Sequence, residues 1–505
     1  MARRERLGIP TYYASREGVR FDGTDQSAAV QAILDRGQLG PICLILDGSI
    51  TAKGLKCYSG TTVQGLGWGT VITQATATSR DDSGVFRNPN FRSAYLGAAI
   101  VDHDIVIRDL MIDGNARNGS SGTAQSDTDP SGATISQIKF WGIRRLLVEN
   151  VYIYDPNAFA VGPANVFDST FRNIRVIVPS ALTDPPTFSH STAAVQIDGP
   201  WDNILIDGVS GATTDDFIAL NAIDGNMASG TDPSTYPTFY YGSGGSAIIR
   251  NICVQVAFGA VLRLLSGSPS GGGAIASIER VLMEGVQATV HSGIFYDYLF
   301  GGLGAGRLGD ITFRNWTVDF GTQVTAGSPP NTITGTVRSF TMSGFRVHNV
   351  PAISNSLVNV VDSATSIGRL CLEDFQVTGD SGETATPCKI VTVSAGTVDE
   401  LILSGVRWSR NAATAAAMVT LTGGTVNRVA VNGISATNLN NVVSVAGATV
   451  GGIDTTGLVH RGASGNASIA VTSGTLSRLR AAGSDTAILK SGTIASSKTD
   501  ATEDA

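Results

Sequence analysis

One six-residue template recurs along this chain: an apolar residue, any residue, an apolar residue, any residue, then Gly, Asn or Asp, then an apolar residue. It reads IVIRDL from 105, LLVENV from 146, ILIDGV from 204, VLMEGV from 281, ITFRNW from 311, FTMSGF from 340, LCLEDF from 370, LILSGV from 401 and VAVNGI from 429. The alternation turns every second side chain to one face, as a half-buried strand requires. From 281 to 401 the starts follow one another at 30, 29, 30 and 31 residues. That is too long for a hairpin and suits one turn of a solenoid, in which each unit buries its apolar face only by stacking on its neighbours. A sandwich has no reason to keep one template through so many units, and a propeller blade needs about 40 to 50 residues. The spacing therefore predicts an all-β chain, a right-handed parallel β-helix with coils about 4.8 Å apart.

Composition agrees with this. Charged residues make up 15% of the 505-residue chain and there are 60 glycines, which fits short strands joined by many turns. Ahead of the repeats, Gln26 to Gly37 reads as a short capping helix, with Thr24 or Asp25 as N-cap, Val30, Ile33 and Leu34 on one face, and Gly37 at the end. Such a helix would cover the open strand edges of the first coil. Beyond residue 346 the aromatics thin out to Phe375 and Trp408, and the coils shorten to 24 and 26 residues between Val429, Ile453 and Leu479. The expected organisation is an N-terminal segment with the capping helix (1–40), a β-helix carrying the candidate site (41–345), and an assembly region ending in a frayed tail at 491–505 (346–505).

Several function classes are disfavoured. The net charge is −7, from 35 basic and 42 acidic residues, and no basic run offers a nucleic-acid footprint. Five scattered cysteines never form CxxC and read as free thiols, and five histidines make no HxH or HExxH spacing, so no metal is expected. With no Gly-rich phosphate loop either, no cofactor is expected. The N-terminus MARRERLGIPTYYASREG lacks the apolar core of a classical signal peptide, and no later stretch is long enough to span a membrane.

The densest candidate chemistry lies between Ala194 and Asn221. Asp198 precedes one strand and the pair Asp215 and Asp216 follows the connecting turn, so in a solenoid the three are expected on adjacent coils facing one side. Carboxylates held close raise one another's pKa, giving the acid and base that glycosidic hydrolysis requires. The same residues also suit turn capping, which would leave a binding-only or structural role. Arg263, if it lay near a calcium-binding acidic cluster, would instead serve a polysaccharide lyase. Trp201 and the loop residues Tyr236, Phe239, Tyr240 and Tyr241 offer flat rings for stacking on sugars.

Two stretches resemble known families. Asp22-Gly23-Thr24-Asp25 with the Gly-rich turn after Thr61 is similar to the start of pectate-lyase-like β-helices, including phage tailspikes. Gln196-Ile197-Asp198-Gly199, and Gly208 followed six residues later by Asp215-Asp216-Phe217-Ile218-Ala219, resemble the paired aspartate motifs of glycoside hydrolase family 28, the polygalacturonases. That resemblance implies Asp215 as general acid, with Asp198 and Asp216 positioning and deprotonating the water of an inverting hydrolysis. Gly242 to Ser246 stands where the family has Gly-His-Gly, and Val261-Leu262-Arg263 where it has Arg-Ile-Lys. The likeness to tailspikes implies a homotrimer on a virion or outside the cell, other phage tail proteins as partners, and a bacterial surface polysaccharide as substrate. The alternatives are a lyase on the same scaffold and a non-catalytic glycan-binding adhesin.

Overall fold

The computed structural model describes residues 8–78, 82–91, 99–120, 136–187, 189, 191–223, 242–268, 274–291, 296–297, 306–320, 332–348, 356–378, 389–409, 417–437, 439–461, 468–482, 488–490 and 493–499. The chain forms two compact units, one of residues 1–248 with 269–271, the other of residues 249–268 with 272–505. The change of composition after residue 346 falls inside the second unit.

In the first unit the strands Asp102–Asp113, Trp141–Tyr154, Ala164–Ile177 and Val195–Thr213 stack in parallel, one per coil. Ile105 pairs with Leu146 as the template requires. The next rung is a coil that the apolar pattern hides. Ser169 stands between Leu146 and Ile204, where the template calls for an apolar residue. Its hydroxyl accepts the Leu146 N–H at 3.0 Å and donates to the Phe167 carbonyl at 2.8 Å, so a buried polar side chain fills the place with its hydrogen bonds made. In the second unit the register runs Val281, Ile311, Phe340, Leu370, Leu401, Val429, Ile453, Leu479, every start in its template position. The strand Thr493–Thr499, within the stretch expected to fray, pairs with Thr475–Ala481 and extends this ladder.

The fifth template position owes its composition to the backbone. Asp109, Asn150, Asn173 and Gly208 in the first unit, and Asn315, Gly344 and Asp374 in the second, all have φ between 46° and 70°. That is the left-handed region, open to Gly and tolerated by Asn and Asp. Where the residue is Asn, its amide also ties coils together: Asn150 donates to Asp109 at 2.7 Å and Asn173 to Asn150 at 3.0 Å. Inside the second unit, Trp316, Phe345 and Phe375 stack at centroid distances of 5.4 and 5.2 Å, close to the coil repeat. Each such buried pair adds about 0.5–1.5 kcal/mol beyond its area.

The capping helix is Ser27–Leu34, with Val30, Ile33 and Leu34 buried. Its N-cap is Gln26 rather than Thr24 or Asp25, though Asp25 accepts the Ser27 N–H at 2.9 Å. The α-helix ends at Leu34, before Gly37, and passes into a 3-10 turn, Asp35–Leu39. Gln31 accepts the Lys56 N–H at 2.7 Å and donates to the Lys56 carbonyl at 3.3 Å, and the Ser27 hydroxyl accepts the Lys53 N–H at 2.8 Å. The helix thus covers the strand edge by supplying the hydrogen bonds of a missing neighbour.

Candidate functional site

Strands Phe86–Arg87, Ser136–Lys139, Phe159–Val161, the first residues of Val195–Thr213, and Ile218–Asn221 form a second parallel sheet in the first unit. It fixes the three aspartates. Val195 pairs with Ile218 and Ile197 with Leu220, a coil of 23 residues that sets Asp198 beside Asn221. Asn221 donates to the Asp198 carboxylate at 2.7 Å, and Gln196 donates to both of its oxygens at 3.1 and 3.3 Å. Asp198 is 4% exposed. It is an acceptor built into the corner of a coil, where the chain turns through Gly199 at φ 71°.

The Asp215–Asp216 pair sits at the other end of the strand. Asp215 N–H donates to the Thr192 carbonyl at 3.3 Å and Ala194 N–H to the Phe217 carbonyl at 2.9 Å. The pair therefore lies over Thr192 and Ala193, with all of Ile218–Asn221, roughly 10 Å of extended chain, between it and the place beside Asp198. Asp216 is 5% exposed. Asp215 is half-buried and accepts a hydrogen bond from the Ser191 hydroxyl, next to a rung in which Thr192 and Thr214 share a hydrogen bond of 2.8 Å. Asp198 and the pair thus occupy adjacent coils, and the strand between them keeps them from forming one cluster.

Trp201 does not present a face to solvent. It is 0% exposed and donates its indole N–H to the Asn221 carbonyl at 3.3 Å. A side chain at Gly244 would come within 2.2 Å of its ring, so that glycine is needed for packing. In the same segment Ser246 donates to Asp202 through its N–H at 2.7 Å and its hydroxyl at 2.9 Å. Burial works against the Asp202 charge, yet these bonds and one from the Asn203 N–H hold its carboxyl below the usual range. The segment aligned with Gly-His-Gly is therefore a packing and turn element. Arg263 belongs to the second unit, half-buried and in register with Asp297. Tyr236, Phe239, Tyr240 and Tyr241 lie outside the described residues.

A different surface of the first unit gathers rings and guanidinium groups. Trp68, 37% exposed, donates its indole N–H to the Asn150 carbonyl at 3.0 Å from a loop turned by Gly67 at φ 107°. Its ring lies 5.6 Å from Tyr152, and Tyr152 lies 6.4 Å from Tyr154. Arg175 covers Tyr152 at 5.6 Å and Arg117 covers Tyr154 at 5.5 Å. Burial pushes the Tyr152 phenol up, against the pull of Arg175. Beside Tyr154 opens a cavity of about 460 Å³, walled by Arg117, Asp155, Asn157, Ser180 and Ser189. This size falls in the range of small-ligand pockets. Arg117 is bound to Asp113 through two bonds of 2.7 and 2.8 Å and to Asp155 at 2.9 Å, and those carboxylates raise its pKa. The row is hard to see in the sequence because its members come from positions 68, 117, 152, 154 and 175, brought together only by the coil register.

No family model and no curated protein matches the chain. Solved structures do. A double mutant of the tailspike protein of E. coli bacteriophage HK620, in complex with a pentasaccharide, superposes with a TM-score of 0.59 at 11% identity, over 89% of this chain and 74% of that one. The fold is a right-handed parallel β-helix. Another structure of the HK620 tailspike, again with a pentasaccharide, superposes on this β-helix with a TM-score of 0.56 at 11% identity, covering 94% of this chain and 74% of that one. An exopolygalacturonase from Thermotoga maritima gives a TM-score of 0.41 at 13% identity over 83% and 92%.

Proposed function

We propose that this protein is a polysaccharide-binding β-helix protein of the tailspike kind, holding its glycan on the first unit across Trp68, Tyr152 and Tyr154. The observation that carries this reading is that row of three neighbouring rings ending at the 460 Å³ cavity. Flat apolar faces with polar tips suit sugars, which offer apolar ring faces and hydroxyl edges, and Asn157, Ser180 and Ser189 put hydrogen-bonding groups at the cavity wall. The shared fold with a tailspike bound to a pentasaccharide supports the same ligand class. A homotrimer on a phage tail, with other tail proteins as partners, belongs to this reading, and light scattering of the purified chain tests the oligomer.

Hydrolysis of the bound glycan is the second reading, favoured by Asp215, which keeps solvent access while Asp198 and Asp216 are buried. The test is incubation with capsular, lipopolysaccharide and pectic glycans, reading binding, new reducing ends and the ultraviolet absorbance of unsaturated products together. Binding without product supports the binding protein. Reducing ends that disappear in Asp215→Asn support the hydrolase, and an absorbance rise moves the reading to a lyase.

A further inference from the structure

Guanidinium groups on the parallel sheet of the first unit are mostly neutralised. Arg117 meets Asp113 and Asp155, Arg145 meets Asp104, and Arg172 meets Glu149. Arg175 is different. It is exposed, its register neighbours Tyr152 and Ser210 carry no charge, and among the described residues it forms no ion pair. Its fork lies over the Tyr152 ring with its donors uncommitted to any carboxylate of the described residues, a geometry that matches the paired oxygens of an anion. The cavity side of the row differs. Its wall carries Arg117 and Asp155 as a bonded pair, and Asp113 holds the same guanidinium, so an anion entering there meets no uncommitted cation.

We propose that Tyr152 and Arg175 form a subsite for an anionic sugar residue, its charge a carboxylate or a phosphate, and that the cavity beside Tyr154 takes an uncharged one. This rests on the reading that the ring row holds a glycan. It adds an order of charge along that glycan: a neutral residue in the cavity, an acidic residue over Tyr152.

The test is calorimetric titration of the full chain with oligomers of acidic bacterial polysaccharides, each beside its own carboxyl-reduced or dephosphorylated form. The native form is expected to bind about tenfold tighter, the scale of one hydrogen-bonded charge pair. The treatment that abolishes this advantage tells carboxylate from phosphate. Arg175→Gln is expected to erase the preference, Arg175→Lys to restore part of it, and added salt to narrow it. Equal binding of both forms with Tyr152→Ala weakening both, or a preference that survives Arg175→Gln, overturns the charge assignment and leaves the glycan reading standing. Binding indifferent to Tyr152→Ala, or none across the panel, overturns both.

Discussion

Asn221 donates its side-chain amide to the Asp198 carboxylate at 2.7 Å, one coil across. Together with Gln196 it makes Asp198 the shared acceptor of a coil corner. Asp198→Ala is expected to cost about 1–3 kcal/mol by leaving buried amide donors unpaired, whereas glycan binding by the folded fraction is retained. Urea unfolding followed by a binding titration below the transition separates the two effects.

Ser169 is the polar exception in an apolar ladder, and restoring the template there should hurt. Ser169→Val removes the acceptor of the Leu146 N–H and the donor to the Phe167 carbonyl in a fully packed coil. A loss of about 1–3 kcal/mol is expected from the unmatched backbone groups, against the usual gain from a larger apolar side chain. The urea midpoint of the variant checks the sign.

These two residues also show what the sequence reveals and what it conceals. The apolar alternation and the coil length fix the strand positions, and each template start from Val281 to Leu479 is in register where the spacing puts it. The fifth template position is legible because only a few residue types accept φ near 60°. Ser169 hides a coil because a hydrogen-bonded hydroxyl fills a core position as well as an apolar group does. The placement of the aspartates is concealed for another reason. Side-chain adjacency across coils depends on coil length, and 23 residues carry Asp198 to Asn221 rather than to Asp215 or Asp216. The ring row escapes notice because no local pattern links Trp68 to Tyr152.

An exposed ion network offers a check on the electrostatics of the first unit. Hydrogen bonds from Arg145, aided by His103, hold the Asp104 carboxyl at about 2. Because its folded pKa lies below the unfolded value of 3.8, its contribution is full above about pH 4 and is lost as pH falls toward 2. The pair is half-exposed, so solvent screening keeps the effect small. Arg145→Gln is expected to lower the urea midpoint slightly at pH 5, with the difference from wild type vanishing near pH 2, as followed by circular dichroism.

The account turns on where the glycan is held. Glycan affinity measured side by side for wild type, Tyr152→Ala and Asp215→Asn tests it most directly. A polysaccharide-binding face at Trp68, Tyr152 and Tyr154 predicts affinity reduced about tenfold or more in Tyr152→Ala, the scale of a lost aromatic contact with its buried area, and unchanged in Asp215→Asn. Affinity kept in Tyr152→Ala and lost in Asp215→Asn would contradict it and return the site to the aspartates.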